Sequence, residues 1–257
     1  MIPAYNASKS IERCLDSVIS QTVPVFEIIV INDGSTDNTL DLIFDFAEKH
    51  HITNLKIINQ QNSGVSSARN AGMSAATGNW IALLDSDDEW LPNKLERQIQ
   101  VLKENPNIDF LGTNRNSEYF HKILWKKLSI LTRISPKLLM IKFIFVVPTV
   151  IFRKKIVLDV GYFDETQKYA EEGNYFIRIA QKFNCFLLNE SLAITGGGKA
   201  HFGHSGLSGN LKEMEKGELK NLKDALNLKI INTFEYFCLI CFSVLKYVRR
   251  VLIVKIR

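Results

Sequence analysis

Trp80-Ile81-Ala82-Leu83-Leu84-Asp85-Ser86-Asp87-Asp88 sets an apolar run directly against three carboxylates within four residues. Five successive apolar residues without polar alternation read as a strand buried on both faces, the kind found in parallel sheets covered by helices. The loop that follows lies at the strand's C-terminal end, where open α/β sheets gather their ligands. Crowded carboxylates repel one another. A hard cation such as Mg²⁺ or Mn²⁺, held by one or two of them together with substrate phosphates, relieves the repulsion. A solvated acidic turn is the plainer alternative.

Upstream of this run, β-rich apolar stretches alternate with helical patterns, the mark of βαβ units. Ile11, Leu15, Val18 and Ile19 keep helical spacing, Phe26 to Ile31 reads as a buried strand, and Leu40, Ile43, Phe44 and Ala47 form another helical face. A strand over Leu55 to Ile58 and a small-residue helix from Val65 to Ala76 follow. Beyond the acidic loop, Pro92 suits the first turn of a helix, and Ile108 to Gly112 closes this half as a strand. Two further loops fall after strands. Asn32-Asp33-Gly34-Ser35-Thr36-Asp37 offers a carboxylate, a flexible glycine and capping hydroxyls, and equally fits a turn with a helix cap. Asn62 to Gly72 places Arg69 among small residues, where a guanidinium can meet phosphate oxygens or simply bridge to solvent.

These motifs together resemble the donor-binding half of family 2 glycosyltransferases. Pro3-Ala4-Tyr5-Asn6, the Asn32 to Asp37 loop, the Gly64 to Gly72 run and the Asp85-Ser86-Asp87 "DxD" occur in the family's order and spacing. The resemblance implies the GT-A, Rossmann-like nucleotide-diphospho-sugar transferase fold, α/β with a mainly parallel mixed sheet flanked by helices. It also implies a donor site, Pro3 and Ser35 included, in which Ala4 and Tyr5 line the base pocket and Asp33 accepts a hydrogen bond from the base. Arg69 and Ser86 would help hold the donor, Asp85 would face the ribose, and Asp87, with Asp85, would ligate Mn²⁺ or Mg²⁺. Family members carry a full strand before Pro-Ala-Tyr-Asn, whereas only Met1 and Ile2 precede it here. The first strand is therefore expected to be clipped, with the natural start several residues upstream.

In the second half, Phe145 to Phe152 reads as a strand, and Gly161 to Glu165 followed by Ala170-Glu171-Glu172 resembles the segment carrying the family's catalytic carboxylate. Where the family shows Glu-Asp, this chain has Glu171-Glu172, so Glu172 takes the place of the base, with Glu171 beside it. Acids at a helix N-terminus favoured by the macrodipole are the structural alternative. Gly196-Gly197-Gly198-Lys199 lacks the first glycine and the Ser/Thr of a phosphate loop. The stretch Gly196 to Gly209 instead reads as a loop closing over the substrates, with His204 a phosphate contact, an added metal ligand or an ordinary loop histidine.

Composition bounds the rest. With 46% hydrophobic and 23% charged residues the chain has the make-up of a globular protein, not of a disordered or fibrous one. Residues 1–112 form the donor half, 113–210 the acceptor and catalytic half of the same domain, and 211–257 a C-terminal helical segment. Cys14, Cys185, Cys238 and Cys241 lack the spacing of a zinc site and read as buried thiols in a reducing compartment. Acidic and basic residues balance through Leu211, so the net charge of +5 lies beyond it. Tyr236 to Leu245 is too short an uncharged run to span a bilayer. On a helical projection Glu235, Lys246, Arg249, Arg250 and Arg257 form one polar stripe opposite a wide apolar face, which suits an anionic membrane surface better than nucleic acid. Packing on the domain, or on a second subunit as a homodimer, is the alternative.

No charged leader precedes an apolar stretch, which makes the cytoplasm the default and the inner face of the cell membrane the expected station. The resemblance implies inverting transfer from a nucleotide diphosphate, UDP first among them, to a saccharide or lipid-linked saccharide in surface polysaccharide synthesis such as lipopolysaccharide or capsule. Two other classes stay open: a nucleotidyltransferase, which ordinarily shows a glycine-rich loop after its first strand, and a catalytically silent nucleotide-binding scaffold of a polysaccharide assembly complex.

Overall fold

A computed structural model describes residues 1–198 and 209–256. The first half runs β1 (Ile2–Ala4), α1 (Ile11–Ile19), β2 (Ile28–Asp33), α2 (Thr39–Lys49), β3 (Leu55–Gln60), α3 (Val65–Ala75), β4 (Trp80–Ala82), β5 (Glu89–Trp90), α4 (Lys94–Glu104) and β6 (Phe110–Arg115). Then come β7 (Lys122–Ile123), β8 (Lys126–Lys127), β9 (Leu131–Arg133), α5 (Pro136–Ile141), β10 (Ile151–Arg153), α6 (Ile156–Val160), α7 (Glu171–Lys182) and β11 (Cys185–Ile194). Helices α8 (Leu211–Asn227) and α9 (Thr233–Ile256) complete the described chain.

Parallel pairing joins β1, β2 and β3, and also β6 with β11; the remaining ladders of the six-stranded sheet, order β4-β10-β6-β11-β5 with β9 on β11, are antiparallel. β2 is buried at every position, as its unbroken apolar run requires. α1 buries Ile11, Cys14, Leu15 and Val18, a helical stripe against the sheet. Small residues let α3 lie close to it: a Cβ on Gly72 would stand 2.4 Å from the Met1 side chain and 2.7 Å from Ile31 Cδ1. An aromatic cluster fixes α7 on the other sheet, with Phe110 and Phe145 ring centres 4.8 Å apart and Phe163 and Tyr175 4.2 Å apart.

Several expectations change. The strand read over Trp80 to Leu84 ends at Ala82; Leu83 and Leu84 stay fully buried while the chain turns toward the acidic loop. Phe145 to Phe152 is not one strand. Pro148 has no N–H for a ladder, and Val147–Thr149 forms a 3-10 turn before β10 begins. β1 is indeed short, three residues paired with Val30 to Asn32. Cys14 and Cys185 are buried, but Cys238 and Cys241 are exposed free thiols.

The polar stripe of the C-terminal helix is turned inward in part. Lys246 and Arg250 pair with Glu218 and Glu215 of α8, the Arg250–Glu218 contact being 2.6 Å, while Glu235 pairs with Lys137. Phe234, Phe237, Leu245, Val248, Leu252 and Ile256 of α9 are exposed. Arg249 and Lys255 share that exposed face, which carries no acid. No helix among the described residues is long and apolar enough to cross a membrane.

Candidate active site

The C-terminal ends of β1, β2 and β4 and the N-terminus of α7 converge on one group of polar side chains. The chain leaves β1 through Pro3 and Ala4, both buried, to Tyr5, which is exposed. Asn6 adopts φ 49°, and its N–H donates to Ser35 Oγ at 3.1 Å while its side-chain oxygen accepts from Thr36 N at 2.8 Å. The Pro3–Tyr5 turn and the Asn32–Asp37 loop are thereby locked together. Asp37 accepts from Thr39 and from Ser8 N, hydrogen bonds that hold its carboxyl down at about 2.

Asp33, 3% exposed, organises the loop opposite. Its carboxylate accepts from Gln60 at 2.7 Å, from Ser63 N at 2.9 Å and from Gly64 N at 2.9 Å. Three of its roughly four acceptor positions are filled, which leaves one for a ligand N–H. Gly64 reaches its donor geometry at φ 88°, in the left-handed region that favours glycine.

Arg69 lies at the centre, 3% exposed. One amino group donates to Asp85 Oδ1 and the other to Glu171 Oε1, each at 2.9 Å, and Phe163 covers the guanidinium at 5.3 Å. Burial opposes its charge, but Asp85 and Glu171 outweigh burial and keep it protonated. The cation expected beside donor phosphates is thus engaged by two carboxylates, one at the start of α7 and one in the acidic loop, 102 and 16 residues away in sequence. Its remaining Nε–H is buried without a partner.

The acidic loop divides its labour. Asp85 is tied to Arg69, Ser86 is half-buried, and the Asp87 side chain reaches solvent. Loss of hydration within the crowded loop, with Asp85 adjacent, pushes the Asp87 carboxyl up. Asp88, 7% exposed, accepts from Gly196 N at 2.9 Å and so fastens the loop to the end of β11. Burial first, then Asp85 and Asp87, raise its pKa. Asp88 lies beyond the site residues that the sequence predicts, although its place in the acidic run marks it. His204 lies outside the described residues.

α7 brings in the second pair of acids. Ala170 stands before it at φ 54°, an unfavourable conformation for a residue with a Cβ, and its carbonyl is held by Asn221 at 2.8 Å and Gln167 at 3.2 Å. Glu171 is 4% exposed and paired with Arg69. Glu172 is hydrogen-bonded to Glu171, and burial followed by that neighbour raises its pKa, with Arg69 opposing. The structure therefore brings Arg69, Asp85, Glu171 and Glu172 together, with Asp33 and Ser35 on the neighbouring strand end.

Among the described residues no three His, Cys, Asp or Glu side chains cluster as a ready metal site. Mg²⁺-type binding draws on one or two carboxylates and completes its shell with phosphates and water. The solvent-reaching Asp87 and the unpaired oxygen of Asp85 are the donors such an ion would use.

Solved structures share the fold, and curated proteins share the sequence of the first half. The fold matches Staphylococcus aureus TarS residues 1–349 in complex with UDP-GlcNAc, with a TM-score of 0.72 and 20% identity over 95% of this chain and 70% of that one. It also matches a mannosyltransferase from Pyrobaculum calidifontis in complex with GDP-Man and Mn²⁺, TM-score 0.68 and 18% identity over 88% and 63% of the two chains. The chain thus has the GT-A fold. By sequence it is 41% identical over 116 residues to chondroitin synthase of Pasteurella multocida, covering 45% of this chain and 12% of that protein. It is 38% identical over 115 residues, 44% of each, to the Escherichia coli UDP-Glc:alpha-D-GlcNAc-diphosphoundecaprenol beta-1,3-glucosyltransferase WfgD. The chain spans less than half the length of either relative. The sequence profile described as Glycosyl transferase family 2 matches residues 1–161, well over half of the chain, and the protein belongs to that family.

Proposed function

We propose that the protein is an inverting, metal-dependent glycosyltransferase moving a sugar from a nucleotide diphosphate, UDP in the first instance, to a lipid-linked saccharide. The observation that carries this reading is the Arg69 clamp. It holds Asp85 of the donor loop and Glu171 of the acceptor-side helix on one guanidinium, so that donor and base are assembled at a single centre. The setting, assembly of a bacterial surface polysaccharide such as lipopolysaccharide or capsule, is supported by the relative whose printed name specifies a diphosphoundecaprenol-linked acceptor.

Pro3, Ala4 and Tyr5 form one wall for the base, and the open acceptor position of Asp33 and the hydroxyl of Ser35 lie beside it. A divalent cation, Mn²⁺ or Mg²⁺, held by Asp87 and Asp85 would supply charge stabilisation to the departing diphosphate. Glu172 takes the proton from the acceptor hydroxyl as that oxygen forms its bond to the anomeric carbon, while the bond from that carbon to the phosphate oxygen breaks with its electron pair. Attack from the side opposite the leaving group inverts the anomeric configuration. Glu171, fixed by Arg69, holds Glu172 in place and raises its proton affinity toward the working pH. Glu172 also lines a cavity of about 80 Å³ between α5, α7, α8 and α9.

The exposed apolar stripe of α9 supports attachment to an anionic bilayer at the cytoplasmic face, with Arg249 and Lys255 beside the stripe. Because Lys246 and Arg250 are engaged by α8, the apolar face carries more of this attachment than charge does. The test is turnover. With a UDP-sugar panel, Mn²⁺ and membrane lipid extract, UDP release should require acceptor, and the product should carry the opposite anomeric configuration to the donor. Donor binding without any acceptor-stimulated release would instead favour a silent scaffold.

A further inference from the structure

Between Tyr119 and Leu158 the chain carries nine lysines and arginines and not one acid. Six of these cations, from Lys122 to Lys142, lie on the β7–β8 hairpin, on β9 and along α5 to the residue after it. Nothing in water favours the way the hairpin is built. Lys122 stands directly opposite Lys127 in the ladder, and like charges across a pair repel. Both are exposed, as is Arg133 nearby, and none of the three makes an ion pair among the described residues. At the tip, where a two-residue turn ordinarily takes Asn-Gly, the chain has Leu124-Trp125. Leu124 sits at φ 49°, in the left-handed region that a side chain disfavours. Trp125 is 86% exposed, more than any other aromatic side chain among the described residues. Ile123 and Leu128 are buried in the core and pin the hairpin in place, so the apolar tip is held outward.

The hairpin also neighbours α9 by way of α5. Lys142, directly after α5, lies 3.8 Å from the centre of the Phe120 ring, where the chain enters β7. On its other side, Lys137 of α5 pairs with Glu235 of α9, and Lys246 of α9 reaches Ile141 O at 3.5 Å.

We propose that the β7–β8 hairpin docks on the surface of an anionic phospholipid bilayer, with Trp125 and Leu124 entering the headgroup region and Lys122 and Lys127 meeting lipid phosphates. The proposal rests on the bilayer attachment read for α9 and adds a second contact to it. Each feature that is unfavourable in water is answered there. An indole is favoured at the interface, with its ring toward the acyl chains and its N–H among headgroups. Each lysine near an anionic surface strengthens binding about fivefold, and lipid phosphates relieve the repulsion across the ladder. A polyanionic saccharide would meet the lysines but leave Leu124 and Ile130, both exposed, in water. One helix lying on a bilayer leaves the molecule free to roll about the helix axis. A second contact through the hairpin fixes the tilt at which the carboxylate centre faces the surface.

Trp125 supplies its own reporter, because Trp90 is buried and Trp80 half-buried. Vesicles of phosphatidylglycerol and brominated phosphatidylcholine should quench the tryptophan emission of the full chain, and Trp125→Phe should lose that quenching while still binding. Lys122→Gln with Lys127→Gln should weaken partition into these vesicles at least about tenfold, with Tm and UDP binding unchanged. Quenching that survives Trp125→Phe, or undiminished partition after loss of the two lysines, overturns the hairpin contact and leaves the attachment through α9 standing. Failure of the unaltered chain to bind the vesicles overturns both contacts, and UDP binding then still reports on the donor site separately. Protection of Trp125 from iodide by soluble alginate but not by vesicles also overturns the proposal, and would make the hairpin a site for a polyanionic saccharide.

Discussion

Removing Arg69 leaves Glu171, 4% exposed, without its cation and frees Asp85 from its only ion pair among the described residues. Breaking a buried pair from one side strands a charge, so Arg69→Met should cost about 3–5 kcal/mol in urea unfolding. A loss below about 1 kcal/mol would show that the clamp is not a structural centre. Glu172→Gln removes a proton acceptor with little change in shape. It should lower kcat by a factor of about 10²–10⁴ while leaving UDP-sugar affinity within about twofold. The pH profile carries the sign of the perturbation. As the base proposed above Glu172 would act deprotonated, and its pKa is raised, so kcat/KM should fall as pH drops through the neutral range rather than near pH 4. The carboxylates of this centre were legible in the sequence because they crowd at strand and helix ends. Their sharing of one guanidinium was not, since Arg69 and Glu171 stand 102 residues apart and only the fold shows that they meet.

Helix α8 braces the turn that leads into α7. A Cβ on Gly217 would stand 2.2 Å from the carbonyl oxygen of Tyr169 and 2.9 Å from its carbon, backbone atoms that cannot swing aside. Gly217→Ala should therefore destabilise by about 1–3 kcal/mol and also lower kcat, because the Tyr169–Ala170 turn sets the start of α7. Gly64→Ala is a contrasting case. Open space surrounds that position, and its φ of 88° alone opposes a side chain, so about 1–2 kcal/mol is expected without a steric clash. A kcat left unchanged by Gly217→Ala would contradict the bracing role of α8. Elements of the first half were readable because helical and strand periods alternate cleanly from Ile11 to Gly112. The stretch from Phe145 to Phe152 misled because an apolar run has no period of its own, and Pro148 was the signal against a strand. In α9 the amphipathic pattern was legible but its orientation was not. Glu215 and Glu218, which draw Lys246 and Arg250 inward, belong to another helix.

Seen whole, the molecule places its carboxylate centre at the C-terminal ends of its strands and its exposed apolar stripe on the last described helix. Leu245→Glu with Leu252→Glu should abolish flotation with vesicles of phosphatidylcholine and phosphatidylglycerol while leaving turnover of a soluble acceptor analogue intact; undiminished flotation would remove α9 from the membrane contact. The donor site can be tested without knowing the acceptor. Isothermal titration of UDP, with and without Mn²⁺, into the protein and into Asp87→Ala addresses it directly, because Asp87 reaches solvent and lies outside the buried clamp. Binding that strengthens at least about tenfold with Mn²⁺, and loses that gain in Asp87→Ala, is the predicted result. Absence of binding to UDP and to every other nucleoside diphosphate tried, with metal present, would contradict the assignment of this centre as a nucleotide-sugar site.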